Sequence, residues 1–164
     1  MATFVGTIPT FSAGGKLRGS SEQTLALAMA ALSSLQTDYS ASLVWFSSGV
    51  NPTIGNGTIS ATYLQVNGLV NFKGAIVAGS TTTFGTLDSC ISLPVAATLG
   101  NRNTGGALIN DTSTPANDRP AALEWLSSTS ARFISSTGRV NATTPFTFAV
   151  GDSFHWNVWY EADV

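Results

Sequence analysis

At 164 residues the chain has room for one compact domain and a short accessory segment, not for two full domains. Its net charge of −2 and its seven basic residues, scattered from Lys16 to Arg139, exclude the clustered positive face of a nucleic-acid binder. Only 10% of residues are charged, no apolar run reaches the ~18 residues of a membrane span, and the single cysteine, Cys90, excludes a disulfide framework or a multi-cysteine metal site.

Ser and Thr occupy 41 positions and Gly a further 16, so the surface is expected to be hydroxyl-rich instead of ionic. Thr fits the pleat of a strand while Ser and Gly fill turns, which suits exposed β-structure. So little charge also leaves self-association unopposed. The N-terminus lacks the basic-then-apolar pattern of a secretory signal, so synthesis in a cytoplasm is expected. The Asn-x-Ser/Thr sequons at Asn56, Asn110 and Asn141 are then given no role.

Residues 1–19 mix Phe4, Val5, Ile8 and Phe11 with Pro9 and four glycines, without a sustained period. This reads as an extended arm whose hydrophobes gain by leaving water on some other surface. A helix is predicted from Ser21 to about Tyr39, capped by Ser20 or Ser21, with Glu22 and Gln23 in its first turn and an interior rich in Ala and Leu. Leu25, Ala28, Leu32 and Leu35 fall on one stripe, which Leu27, Met29 and Ala31 widen. With Glu22 and Asp38 as its only charges, the helix needs cover from its own β-domain, from copies of itself or from a larger assembly. Residues 1–42 are therefore assigned to attachment and oligomerisation, and 43–164 to a β-domain.

Strands are predicted at 43–46, 58–66, 69–78, 87–93, 106–110, 121–127, 131–136 and 154–162, separated by breaks rich in Gly, Pro and Asn. The clearest unit is the hairpin around Asn67-Gly68, a pair that accepts the positive φ angles of a type I′ turn. Before the turn Ile59, Ala61 and Tyr63 alternate with Ser60, Thr62 and Leu64. After it Val70, Phe72, Gly74 and Ile76 alternate with Asn71, Lys73 and Ala75, the period of two that marks strands. The expected fold is mainly β, an antiparallel, jelly-roll-like β-sandwich preceded by the arm and one α-helix. The polar segment 111–120 is its expected exposed tip, and Cys90, in an alternating run, is expected to be a small buried hydrophobe.

The last strand carries large groups on both faces: Phe154, Trp156, Val158 and Tyr160 on one, His155, Asn157 and Trp159 on the other. One face suits the domain's own core. The second, with His155 and Trp159, is read as a subunit contact. Together with Phe4, Ile8, Phe11, Leu25, Leu32 and Leu35 these two residues form the expected attachment and oligomer surface. Trp45 and Trp125, with Trp159, are candidates for stacking on sugar rings.

No motif points to catalysis. A triad spelled from the lone His155 has no specificity in so serine-rich a chain, and a histidine inside an aromatic strand suits an interface or core. One His and one Cys cannot fill a zinc site, and the Asp-containing loops lack the ligand spacing of a calcium loop. Ala13-Gly14-Gly15-Lys16 lacks the following hydroxyl and the preceding strand of a phosphate loop. No cofactor or metal is expected.

The wording of three stretches adds a resemblance. Residues 51–85 (NPTIGNGTISATYLQVNGLVNFKGAIVAGSTTTFG), 91–97 (ISLPVAA) and 145–162 (PFTFAVGDSFHWNVWYEA) resemble a β-rich domain recurrent in structural proteins of tailed phages that infect actinobacteria. IPTFSAGGKL at 8–17 and the Ala/Leu helix resemble the attachment segment before such domains. This chain departs from the pattern in a longer polar segment, 100–120. The resemblance implies a capsid decoration (head-fibre) protein or a minor tail protein, on the virion surface and without catalytic residues. The expected partners are a second and third copy of the chain, as a homotrimer, and the major capsid protein or alternatively tail proteins; a carbohydrate-binding module for host-surface glycans is the alternative reading, and no nucleic acid or membrane is expected.

Overall fold

The computed structural model describes residues 36–98 and 105–162. Within the unit Thr37–Val164, ten strands form an antiparallel sheet: β1 (Thr37–Asp38), β2 (Trp45–Ser47), β3 (Thr58–Val66), β4 (Leu69–Val77), β5 (Ser89–Ser92), β6 (Gly105–Asn110), β7 (Arg119–Ser127), β8 (Ser130–Ser135), β9 (Gly138–Arg139) and β10 (Ser153–Glu161). The order across the sheet is β1-β3-β4-β10-β6-β7-β8-β5-β2, with β9 paired to β8. The fold is thus mainly β and sandwich-like, as expected, but a single curled sheet supplies both layers.

Local chemistry sets the register. Asn67 (φ 48°) and Gly68 (φ 78°) form the tight turn between β3 and β4, and pairing then runs from Val66 with Leu69 to Thr58 with Val77. Along β10, Phe154, Trp156, Val158 and Tyr160 are buried while His155, Asn157, Trp159 and Glu161 are exposed, so the alternation divides core from solvent.

The curl follows from connectivity. β1 and β2 end opposite edges of the strand order, yet only residues 39–44 separate them in the chain. The two edges must therefore approach each other. Tyr39 ties them: its hydroxyl donates to the Leu93 carbonyl (3.2 Å) and shares a hydrogen bond with the Ser92 hydroxyl (2.9 Å), beside β5. Inside the curl Trp45 of β2 meets Phe154 of β10 (ring centroids 5.7 Å), and Trp125 of β7 meets Tyr160 of β10 (5.2 Å). Aromatic contacts thus join strands that are distant in the sheet and build one core.

The expected helix does not reach Tyr39. Thr37 and Asp38 pair with Tyr63 and Thr62 instead, and the Tyr39 ring packs edge-on against Tyr63 and Phe72. Burial of one aromatic ring outweighs the helix propensity of the preceding text there. The rest of the predicted arm and helix, including Phe4, Ile8, Phe11, Leu25, Leu32 and Leu35, lies outside the described residues. Elsewhere β1 and β9 are additional, β6 and β7 start earlier than expected, and Cys90 is fully buried as a free thiol. Burial pushes its pKa up to about 11, with the nearby Asp88 charge adding to the shift.

The polar segment after β6 is exposed at Thr112–Ala116, but it is anchored by a carboxylate that lies inward. Asp111 accepts from the Ser113 amide (3.0 Å), the Ser113 hydroxyl (2.6 Å) and the Thr114 amide (2.9 Å) on Oδ1, and from Asn117 Nδ2 (2.9 Å) on Oδ2. The Ser113 hydroxyl and then Asn117 hold its pKa below the ordinary 3.8, against the opposing pull of desolvation. A depressed folded-state pKa gives stabilisation that is complete above the unfolded value and lost as pH falls through the folded one. In an acid titration followed by NMR, the Ser113 and Thr114 amides are therefore expected to move with a midpoint below pH 3.8. A midpoint at or above that value would contradict the bonding.

Candidate functional site

The antiparallel register lays side chains in rows across the outward face of β3, β4, β10 and β6. One row runs Thr62, Lys73, Asn157, Gly106, and the next runs Ser60, Ala75, His155, Leu108. They line a shallow trough of about 590 Å³. Two hydrogen bonds orient its polar groups. Asn71 Nδ2 donates to Asn157 Oδ1 (2.8 Å), and the Ser153 hydroxyl meets His155 Nε2 (2.9 Å).

Further along the same face, Val66 and Leu69 form a cross-strand pair at the hairpin end, and Trp159 stands opposite Asn71, two residues along β4 from Leu69. All three are large exposed hydrophobics, Trp159 at 51%. His155 and Trp159, predicted as one contact, thus occupy two chemically different zones: a polar trough and an apolar margin.

The other two tryptophans expected to stack on sugars do not face solvent. Trp45 and Trp125 are 7% and 9% exposed and belong to the core, which corrects the expectation that they stack on sugars. Trp45 Nε1 donates to the Ser89 hydroxyl (2.8 Å), and its ring packs on Phe84 and Phe154. Trp125 packs edge-on against Tyr160. Rings enclosed in this way leave no face for a sugar.

Outside the trough, charges on β7, β8 and β9 and at Asp88, just before β5, neutralise one another. Arg132 Nε donates to Glu124 (2.6 Å), its Nη1 lies 3.3 Å from Asp88, and Arg139 reaches the same carboxylate at 3.5 Å. This cross-strand network braces the sheet. Among the described residues no group of three His, Cys, Asp or Glu side chains is placed to hold a metal ion, and no helix is long and apolar enough to cross a membrane. Compared with protein-family models, with curated proteins and with solved structures, the chain matches none.

Proposed function

We propose that the chain is a non-enzymatic structural protein of a phage virion, a capsid decoration (head-fibre) protein that docks through residues 1–42 and projects its β-domain from the particle surface. One observation carries this reading. The three stretches of resembling text, separated in sequence, are neighbours in the fold. Residues 51–85 contain the β3–β4 hairpin, and 145–162 contain β10, which pairs with β4 from Ser153 opposite Val77 to Glu161 opposite Leu69. Residues 91–97 supply the Val95 carbonyl that accepts from the Tyr160 hydroxyl (2.9 Å) and the Ala97 bridge to Ala162. Within the β-domain the likeness thus falls on segments that pack together, which supports common descent of that unit over chance agreement between Ser/Thr-rich sequences.

The apolar margin of Val66, Leu69 and Trp159 supports self-association, as a homotrimer, since exposed apolar groups of this size favour an interface. Light scattering on the purified chain is expected to return three times 17.0 kDa; a monomer at micromolar concentration would remove the trimer. Gold-labelled antibody against the β-domain is expected to decorate the heads of intact particles. Label confined to tails would make the chain a minor tail protein, and particles without label would end the virion reading.

A further inference from the structure

We propose that the trough on β3, β4, β10 and β6 binds an acidic oligosaccharide, one sugar of which carries a carboxylate. The proposal stands apart from the virion assignment and rests on charge, shape and register alone.

The charge is specific. Among the described residues every arginine donates to a carbonyl or carboxylate: Arg119 to Ala116 and Asp118, Arg132 to Glu124, and Arg139 pairs with Asp88. Lys73 makes no such contact and stands in the first of the trough's two rows, and the lining contains no carboxylate. An unneutralised ammonium in a net-negative chain calls for an anionic group on the ligand. The groups around it suit a polyhydroxylated ligand. With Oδ1 held by Asn71, Asn157 keeps its Nδ2 hydrogens for another acceptor, and His155 keeps the ring nitrogen that Ser153 does not use. Ser60 and Thr62 add hydroxyls at one end of the two rows, while Ala75 and Leu108 offer carbon surface to the C–H face of a sugar ring.

Shape narrows the choice. With strands ~4.8 Å apart and alternate residues ~7 Å apart, two rows across four strands cover about 14 by 7 Å, the footprint of a short oligosaccharide. Its volume of about 590 Å³ would be left mostly empty by a single inorganic anion. An extended peptide binds by adding to a sheet edge, whereas β4 and β10 are paired on both sides. A nucleic acid would meet only one lysine here. Gly106 leaves the far end open, because a Cβ built on it meets nothing within 4 Å.

The test is calorimetric titration of the full chain with a glucuronate–N-acetylglucosamine tetrasaccharide and with trigalacturonate, against the neutral N-acetylglucosamine tetramer and inorganic phosphate. At least one acidic sugar is expected to bind about tenfold or more tightly than the neutral one, the difference that one charge-assisted hydrogen bond makes. Lys73→Met should remove that preference without weakening the neutral sugar. Gly106→Leu should abolish sugar binding while leaving the thermal midpoint and the oligomer mass unchanged. The proposal is overturned if neither acidic sugar binds, if neutral and acidic sugars bind alike, if phosphate binds and sugars do not, or if both variants keep wild-type affinity. It is also overturned if Gly106→Leu dissociates the oligomer, because the trough would then be a subunit contact.

Discussion

Replacing Phe154 by alanine is expected to destabilise the β-domain by about 3–5 kcal/mol, the range for deleting a buried phenylalanine. The residue is 1% exposed and lies near the start of β10, where elements from both halves of the curled sheet converge. Its ring stacks on Phe148 (4.8 Å) and meets Phe133 of β8 (5.2 Å) and Trp45 of β2 (5.7 Å). Such ring pairs add about 0.5–1.5 kcal/mol each beyond area burial. Their loss leaves a cavity that strands anchored on several sides cannot collapse to fill. Trp159→Ala on the outward face of the same strand is the control. It removes a larger ring from a half-exposed position and is expected to change monomer stability far less, within about 1 kcal/mol. Urea unfolding at a concentration where the chain is monomeric measures both. A Phe154→Ala cost below that of Trp159→Ala would mean that the aromatic interior does not hold the sheet together.

The hairpin was readable because its determinants are local. Asn67-Gly68 sets a two-residue turn, which places Thr62 opposite Lys73, so half of that row of the trough follows from the turn alone. That Asn157 and Gly106 continue the row depends on β4–β10 and β10–β6 pairings across long stretches of chain, and no local signal encodes these. Burial of Trp125 was also legible: it shares parity with Ala121 and Leu123 along β7, and that face packs inward. Treating tryptophan as a sugar platform overrode the period of two. For Trp45 the strand is too short to show a period, and the partner that satisfies its indole, Ser89, lies on another strand. The sequence extends the predicted helix too far because residues up to Gln36 carry no stop signal, while the force that makes Thr37–Asp38 a strand is packing of Tyr39 on Tyr63 and Phe72. Within the final strand the division of faces was correct, but its outward side is two zones, since zoning depends on which neighbours the sheet supplies.

Asp152→Ala is expected to rival the core substitution, at about 2–6 kcal/mol, through hydrogen bonding instead of packing. The side chain is 1% exposed. Oδ1 accepts from the Thr112 amide (2.9 Å) and Oδ2 from the Ala149 amide (2.7 Å), while the Asp152 carbonyl accepts from the Ala78 amide (2.9 Å). One residue thus joins the end of β4, the loop after β6 and the entry to β10. Alanine removes both side-chain acceptors at once, and each hydrogen bond to a carboxylate contributes about 1–3 kcal/mol, the lower end where, as at Thr112 and Ala149, the donor residue is exposed to water. Asparagine separates the contributions, because it keeps one carbonyl oxygen and presents an NH₂ group to the other amide. Hydrogen exchange at Thr112 and Ala149 reads the result residue by residue. Both amides are expected to exchange faster in Asp152→Ala, and only one of them in Asp152→Asn. If both kept wild-type protection in the alanine variant, the carboxylate would not be what fixes the start of β10, the strand on which the core and the trough both depend.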